Sequence, residues 1–230
     1  MTRVHLNVQN GGGSQPVQIH ICDLVIAGWT GRDRASLNAH IKELAEIGVQ
    51  PPKRTPIFYR VSASLVTTAN GIQTIGSDSS GEAEFVLIHE FDRLLIGIGS
   101  DHTDRKAESI SVAISKQMCP KPLGSNVWEF SSVEPHWDEL ILRSYVIANG
   151  ERTIYQEGSV AAILHPRTLM ERYADAAGRA FSAGMTMFCG TLPVIGPLRR
   201  AAEFEVELQD PVLKRTLTHS YWIDELPMEV

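Results

Sequence analysis

The 230-residue sequence contains few cysteines, and their arrangement excludes two kinds of small-protein scaffold. There are three cysteines, an odd number, at Cys22, Cys119 and Cys189. They lie far apart in the sequence and form no Cys-x-x-Cys pair. This pattern supports neither a disulfide framework nor a structural zinc site. We expect each cysteine to be a small buried apolar residue rather than a nucleophile.

The sequence also lacks an excess of positive charge and any long apolar run. Its 21 Lys and Arg against 27 Asp and Glu give a formal net charge of −6, and no basic stripe, RNA-binding motif or zinc-finger spacing is present. We therefore expect no nucleic-acid partner. No stretch approaches the roughly 20 apolar residues that cross a membrane, and the N-terminus has no signal-peptide pattern. We expect a soluble, cytoplasmic protein with no membrane partner.

The composition is that of a globular protein, with 43% hydrophobic and 21% charged residues. We expect one domain, residues 1–230, because β-rich domains of this length commonly occur as single units. Short β-rich runs dominate and lie at 17–27, 57–67, 72–75, 84–90, 94–98, 140–148 and 202–208. The prediction is a mainly β (α+β) fold, mixed and mostly antiparallel, with a few short helices.

Turn and helix signals refine this prediction. Asn70-Gly71 and Asn149-Gly150 each lie between β-rich runs and predict two antiparallel hairpins. Apolar residues at helical spacing predict short amphipathic helices at 37–44 and, after a proline, at 166–180. The glycine-rich residues 11–14 are interpreted as a flexible loop and not as a phosphate cradle, since no Lys-Ser/Thr follows them.

Three acidic residues lie at the ends of apolar strands. Glu82 and Glu84 are one residue apart, so on a strand they share one face. Asp101 directly follows the apolar run 94–98 and its Gly-Ser extension. Buried carboxylates side by side stay ionised together only when a cation or strong donors compensate their charge, and hard oxygen ligands suit Mg²⁺ or Ca²⁺. A solvated strand end and an ordinary Asp turn remain the alternatives at this point.

Other residues have weaker signals. His40 and Glu43 are three apart on the predicted helix, where a carboxylate can orient an imidazole that activates water, although a surface pair is the usual alternative. Lys116 follows an apolar stretch, and by default it is an exposed lysine. Residues 184–193 predict a buried strand that ends in Gly-Thr, where the Thr191 hydroxyl and nearby amides could bind a carboxylate.

In this order, the segments resemble the fumarylacetoacetate hydrolase superfamily. The family pattern contains His-x-x-Glu, Glu-x-Glu, an Asp-x-Ser/Thr-Ala-Arg segment, a lysine segment ending Pro-Leu-Gly, a Val-Asn-Gly-Glu hairpin with Gln-x-Gly, and Gly-Thr-Pro-x-Gly-Val-Gly. The matching segments here are His40 to Glu43, Glu82 to Glu84, 100–105, 116–124, 148–158 and 190–196.

The resemblance implies a twisted β-roll fold, usually in a homodimer, and a set of site residues. Glu82, Glu84 and Asp101 would be ligands of Mg²⁺, with Mn²⁺ or Ca²⁺ as alternatives. His40 with Glu43 would be the base, and Lys116 would stabilise an enolate. Arg105 and Thr191 would hold the substrate.

Two departures from the family pattern concern the substrate. A substrate-contacting amide of the family is replaced by Glu108, and Lys121 is added to the lysine segment. Both changes lie where the distal part of the substrate is expected. They leave the proposed metal ligands and base in place, so the resemblance implies an oxo-acid substrate without naming it.

The resemblance implies chemistry on a small oxo acid. The leading hypothesis is metal-dependent hydrolysis of a carbon–carbon bond in a 2,4-dioxo acid through a stabilised enolate. Decarboxylation, hydration or dehydration, and isomerisation use the same electron sink and remain alternatives. A non-catalytic sugar-acid-binding protein is a further one.

Overall fold

The structure, a computed structural model, describes residues 1–35 and 54–229. The predicted helix at 37–44, with His40 and Glu43, lies outside these residues. The strands of the described part are β1 Thr2–Asn10, β2 Gly13–Ile21, β3 Asp23–Gly28, β4 Ile57–Val61, β5 Val66–Thr67, β6 Gly71–Ile75, β7 Ser79–Ser80, β8 Ala83–Glu90, β9 Arg93–Ser100, β10 Thr103–Asp104, β11 Lys121–Pro122, β12 Asn126–Glu129, β13 Ile141–Ala148, β14 Glu151–Ser159, β15 Met185–Phe188, β16 Glu203–Asp210 and β17 Arg215–Leu226.

Short helices connect these strands. The α-helices that lie wholly within the described residues are Arg105–Glu108, Val112–Met118, Phe130–Val133 and Pro166–Ala177, and the 3-10 turns there are Ala63–Leu65, Glu134–Glu139 and Val160–Ala162. The helix Pro166–Ala177 confirms the second predicted helix. It has the proline in its first turn and ends at Gly178, whose φ of 68° gives the left-handed cap that glycine adopts readily.

Two large sheets form the body of the described chain. The eight-stranded sheet has the order β2-β1-β12-β9-β8-β15-β3-β4, and the five-stranded sheet has the order β14-β13-β16-β17-β6. Most neighbouring strands are antiparallel, while β1 with β12, β3 with β15 and β6 with β17 are parallel. The predicted mainly β (α+β) class with a few short helices is therefore confirmed.

The central strands are apolar because both of their faces are buried. Along β8, Phe85 and Leu87 join the larger core, which also contains side chains of the five-stranded sheet. Val86 and Ile88 point the other way, into a second core packed against β1, β2 and β3. Side chains alternate across a strand, so a strand covered on both faces has no polar alternation. Polar residues in such a strand stand out, and Glu84 is one of them.

Several predicted boundaries differ from the structure. The predicted strand 17–27 is two strands, because the Cys22 and Asp23 amides both donate to the Gly184 carbonyl, at 2.8 and 3.1 Å, where the chain passes from β2 to β3. The predicted strand 57–67 is interrupted by the turn Ala63–Leu65. Cys22 is exposed, contrary to the expectation, while Cys119 and Cys189 are buried as predicted.

One predicted hairpin is confirmed and one is wrong. Asn149 and Gly150 have φ values of 53° and 79° and link β13 to its antiparallel partner β14. Asn70-Gly71 makes no hairpin, because β6 pairs in parallel with β17 and β5 pairs in parallel with β11. The glycine-rich segment 11–14 is also not a loop throughout, since Gly13 and Ser14 belong to β2 and pair with β1.

Among the described residues, no helix is long and apolar enough to span a membrane.

Candidate active site

The hairpin of β8 and β9 brings the three predicted carboxylates together. Glu84 is the second residue of β8, Glu82 immediately precedes that strand, and Asp101 directly follows β9. The strands are in register, with Glu84 opposite Gly99, and the Asp101 amide extends the ladder by donating to the Glu82 carbonyl at 3.0 Å. One oxygen from each carboxylate lies within 4.8 Å of the others. The face-sharing predicted from the sequence is therefore present.

Two lysines compensate the charge of this cluster. Asp101 is fully buried and Glu84 is 2% exposed. The Lys116 ammonium lies 2.6 Å from Asp101 Oδ2 and 3.0 Å from Glu82 Oε2, and the Lys121 ammonium lies 2.8 Å from Asp101 Oδ1. The default interpretation of Lys116 as an exposed side chain is thus wrong, since only 6% of it is exposed. Buried lysines require such partners, because an unpaired charge is costly to desolvate.

The three carboxyl groups differ in protonation tendency. Burial opposes ionisation of Asp101, but Lys116 and Lys121 outweigh it and lower its pKa to about 2. Burial likewise opposes ionisation of Glu82, while Lys116 and Arg105 bring its pKa below the usual value. Burial, together with repulsion from Asp101 and Glu82, raises the pKa of Glu84 well above its usual value. The cluster therefore has two ionised carboxylates and one that favours a proton.

The donor set fits a hard divalent cation. Both oxygens of Asp101 are buried, and neither accepts a hydrogen bond of normal geometry, although the ammonium groups of Lys116 and Lys121 lie close by. Glu84 uses Oε2 to accept a hydrogen bond from the Gly190 amide at 2.8 Å, and that contact orients the carboxylate. Carboxylate oxygens with unused lone pairs are the ligands that Mg²⁺ and Ca²⁺ prefer. Glu82, Glu84 and Asp101 could therefore hold a metal ion.

Arg105 and Glu108 border the same cluster. Arg105 Nη1 donates to Glu82 Oε1 at 3.0 Å and to Glu108 Oε2 at 2.9 Å, and its Nε donates to Ser80 Oγ at 2.7 Å. Glu108 Oε1 also lies 3.7 Å from the Lys116 ammonium. The structure thus brings the two predicted substrate-binding residues next to the carboxylates, where their charges are paired with each other.

Thr191 is held against the start of β8 by a buried glutamine. Its hydroxyl donates to the Ala83 carbonyl at 2.7 Å and accepts from Gln156 Nε2 at 2.7 Å. Gln156 Oε1 in turn accepts from the Ala83 amide at 3.0 Å and from Ser144 Oγ at 2.7 Å. Gln156 lies in a matching segment of the family pattern, but it had no predicted role. It connects Thr191 to the strand that carries Glu84.

The structure adds two buried groups that the sequence did not single out as site residues. Lys121 donates to the His102 carbonyl at 2.6 Å besides pairing with Asp101. The His102 imidazole contacts the Tyr221 hydroxyl at 3.0 Å and Ser79 Oγ at 2.9 Å. Burial and the charges of Lys121 and Arg105 lower the His102 pKa to about 3, so the ring is neutral. The sequence feature that could have identified Lys121 is its position in the lysine segment of the family pattern. No sequence feature distinguished His102.

The comparisons with known proteins agree with this architecture. The sequence profile of a family described as protein of unknown function (DUF2848) matches residues 27–221. No curated protein is significantly similar to the chain in sequence.

Three solved structures show the same fold. A yeast fumarylacetoacetate hydrolase family protein has a TM-score of 0.62 at 18% identity, over 89% of this chain and 94% of that chain. A 5-carboxymethyl-2-hydroxymuconate delta-isomerase from Mycobacterium smegmatis has a TM-score of 0.63 at 16% identity, over 95% and 87%. A 2-keto-3-deoxyarabinonate dehydratase has a TM-score of 0.62 at 16% identity, over 90% and 75%.

These similar structures include proteins named for different reactions, and at this identity they establish the fold alone. The family profile covers most of the chain, and the fold predicted from the ordered motifs is confirmed. The chain therefore belongs to the DUF2848 family, and its fold is that of the fumarylacetoacetate hydrolase family.

Proposed function

We propose that this protein is a Mg²⁺-dependent enzyme that hydrolyses a carbon–carbon bond in a small 2,4-dioxo acid. The observation that carries the proposal is the meeting of Glu82, Glu84 and Asp101 within 4.8 Å, with Lys116 paired to two of them. A cluster of this kind supplies both a divalent cation site and a charged donor at one place. Those are the two requirements for stabilising an enolate.

The cation and the protein side chains have separate tasks in this proposal. When bound at Glu82, Glu84 and Asp101, Mg²⁺ would polarise the substrate carbonyl groups and offset negative charge that develops on their oxygens. Lys116 donates a hydrogen bond to the oxygen of the leaving enolate. Its buried position strengthens that interaction, because water does not screen it. Arg105 binds the substrate carboxylate, and Thr191 holds a further substrate oxygen.

The ionisation of Lys116 favours its role. Burial alone would lower its pKa, but Asp101, Glu82 and Glu108 raise that pKa well above the usual value. The ammonium group therefore keeps its proton at neutral pH and acts as a fixed donor rather than as a base. A different residue must activate water, and we propose His40 oriented by Glu43, on the ground of their helical spacing.

A panel of 2-oxo and 2,4-dioxo acids with Mg²⁺, with products identified by mass spectrometry, tests the proposal. In ¹⁸O-labelled water, hydrolysis places the label in a newly formed carboxylate and releases a 2-oxo acid. Lack of turnover of every 2,4-dioxo acid, with the metal bound, would contradict it. His40→Ala and Glu43→Ala should lower kcat by about 10²–10⁴-fold if the pair is the base.

A lyase is the second candidate, and one observation favours it. The imidazole nearest to the cluster in sequence, His102, contacts Tyr221 and Ser79 instead of the carboxylates. Decarboxylation requires an enolate-stabilising site but no attacking water. The carboxylate cluster and Lys116 would therefore be enough for it, without a residue that activates water. Trapping of stoichiometric CO₂ together with an unlabelled product carboxylate would assign the lyase reaction.

We also propose a homodimer, on the family resemblance alone, and a cytoplasmic location, on the sequence pattern of the N-terminus. Size-exclusion chromatography with light scattering should then give a mass twice the 25.4 kDa of the chain. A mass of 25.4 kDa at all protein concentrations would contradict the dimer.

A further inference from the structure

The two glutamates of the cluster each have one oxygen that a protein N–H group already contacts. The Arg105 guanidinium donates to Glu82 Oε1 at 3.0 Å, and the Gly190 amide donates to Glu84 Oε2 at 2.8 Å. Such a donor fixes the orientation of the carboxylate. It also disfavours a cation at the same oxygen, because the donor and the cation carry charge of the same sign. Each glutamate is therefore arranged to bind a metal ion through its other oxygen.

Lys121 has the same relation to the third carboxylate, Asp101. Its ammonium lies 2.8 Å from Asp101 Oδ1 and donates to the His102 carbonyl at 2.6 Å. Lys121 is fully buried, and it forms an ion pair with no other carboxylate of the described residues. Withdrawal from Asp101 would leave a buried charge without a partner, which is costly. Lys121 should therefore stay at Oδ1 when a cation binds to Asp101.

The backbone also fixes Lys121 relative to Asp101. Lys121 is the first residue of β11 and pairs with Val66 of β5. Shortly after it, the Gly124 amide donates to the carbonyl of Ile98 in β9 at 2.8 Å. Asp101 directly follows β9, so the lysine and the carboxylate are positioned by the same group of strands.

Lys116 contacts the oxygens that the other donors leave. Its ammonium lies 2.6 Å from Asp101 Oδ2 and 3.0 Å from Glu82 Oε2. Unlike Lys121, it has a further carboxylate nearby, because Glu108 Oε1 lies 3.7 Å away. A metal ion that binds Asp101 Oδ2 and Glu82 Oε2 can therefore replace this ammonium without leaving the lysine unpaired.

We propose that Lys121 makes the metal site selective for Mg²⁺ over Ca²⁺, by restricting Asp101 to coordination through Oδ2 alone. Mg²⁺ requires an octahedral set of single oxygens, whereas Ca²⁺ accepts about six to eight oxygens and commonly both oxygens of one carboxylate. Carboxylates that each offer one oxygen meet the requirement of Mg²⁺ and deny Ca²⁺ its additional contacts. Lys121 departs from the family pattern, so the resemblance assigns it no role. Its role here rests on the proposed metal site and not on the proposed reaction.

Calorimetric titration of Mg²⁺ and of Ca²⁺ into the wild-type protein and Lys121→Met measures this selectivity. The two ions carry the same charge, so loss of the lysine charge changes both affinities alike, and the ratio of the two dissociation constants reports the coordination. The wild-type protein should bind Mg²⁺ more tightly than Ca²⁺. In Lys121→Met the ratio should shift toward Ca²⁺ by about tenfold, the lower end of the effects seen when such a partner of a metal ligand is lost.

Lys116→Met is the matched control. It removes the same charge from the other oxygen of Asp101 and leaves Lys121 at Oδ1. Both affinities should change by the same factor, and the ratio should remain that of the wild-type protein. Cooperative thermal unfolding shows that each variant is folded.

A crystal structure of the wild-type protein with Ca²⁺ tests the same role without any variant. The ion should contact Asp101 through Oδ2 only, with the Lys121 ammonium still at Oδ1. Contact of Ca²⁺ with both oxygens of Asp101 would overturn the role of Lys121.

Three titration results would also overturn it: tighter binding of Ca²⁺ than of Mg²⁺ by the wild-type protein, an unchanged ratio in folded Lys121→Met, or an equal shift in Lys116→Met. Failure of both ions to bind the wild-type protein would contradict the metal site, and the role of Lys121 with it. Binding of Mg²⁺ without turnover of any 2,4-dioxo acid would contradict the proposed reaction alone, and the ratio in Lys121→Met would be unaffected.

Discussion

Glu84 is the residue that most directly links metal binding to pH. Burial and the nearby charges of Asp101 and Glu82 raise its pKa well above the usual value, so the site without a cation favours a proton on Glu84. A cation that binds there displaces this proton. The affinity for Mg²⁺ should therefore fall as the pH falls and Glu84 takes up its proton, and it should reach a plateau above the raised pKa.

Calorimetric titration in buffers of different ionisation enthalpy measures the proton that is released. We expect release from the wild-type protein at pH values below the raised pKa of Glu84. Glu84→Gln should bind Mg²⁺ weakly and release no proton. Binding to the wild-type protein without proton release would contradict the assignment of Glu84 as a ligand.

Loss of the Lys116 charge should slow catalysis without weakening metal binding. Lys116→Met removes a charged donor to the enolate oxygen, and loss of one such donor typically lowers kcat by about 10²–10³-fold. It also removes a positive charge 2.6 Å from Asp101 and 3.0 Å from Glu82, so the affinity for Mg²⁺ should not fall.

Steady-state kinetics and a Mg²⁺ titration of the same variant give both results. Lys214→Met is the matched control at an exposed turn, and both values should be unchanged there. A Lys116→Met enzyme with wild-type kcat would remove Lys116 from the mechanism.

The chemical type of most site residues could be predicted from the sequence, but their partners could not. The spacing of Glu82 and Glu84 was enough to predict a shared face, because alternation along a strand is a local property. Lys116 was expected to be exposed by default, since nothing near it in sequence shows that it meets Asp101, fifteen residues away along the chain. Burial of a lysine depends on distant carboxylates, and only the family resemblance indicated it.

At the scale of secondary-structure elements, the absence of a side chain at Gly99 lets β9 pack closely against β11 and β15 beside the site. An added Cβ at Gly99 would lie 2.6 Å from the Pro122 carbonyl oxygen and 2.7 Å from the Phe188 ring. Gly99→Ala therefore forces β9 away from β11 and β15. We expect a loss of about 1–3 kcal/mol in the free energy of unfolding, as for other overpacked cores, together with weaker Mg²⁺ binding, because Asp101 directly follows β9.

Chemical denaturation and a Mg²⁺ titration measure the two effects. The control is Gly28→Ala in β3, where the added atom would lie at an ordinary 3.4 Å from the Tyr59 ring. Equal stability of the two variants would show that the packing at Gly99 is not tight.

Local turn signals predicted some strand pairings and not others. Asn149-Gly150 gave the right hairpin, because both central residues have the positive φ that such a turn requires. The hairpin predicted at Asn70-Gly71 is wrong, because β6 pairs with β17, whose residues lie about 150 positions away in the sequence. β1 was missed although Val4, Leu6 and Val8 alternate with polar residues, a period that strands show.

At the scale of the whole molecule, the metal should stabilise the fold. The three carboxylates lie close together, and Asp101 and Glu84 are buried. A ligand that binds only the folded state stabilises it by RT ln(1 + [L]/Kd), about 2.7 kcal/mol at a concentration of 100 times Kd. Mg²⁺ should therefore raise the Tm of the wild-type protein.

Differential scanning calorimetry with and without Mg²⁺ measures this shift. Asp101→Asn should show none, while Asp224→Asn, an exposed carboxylate near the end of β17, should behave like the wild type. A shift of equal size in Asp101→Asn would mean that the ion binds elsewhere.

One divalent cation should bind to Glu82, Glu84 and Asp101 together. The most direct measurement is a crystal structure of the protein with Mn²⁺, which substitutes for Mg²⁺ and is located by its anomalous scattering. We expect one strong peak in contact with an oxygen from each of the three carboxylates. Absence of a peak there at a saturating Mn²⁺ concentration, with Lys116 still between Glu82 and Asp101, would contradict it.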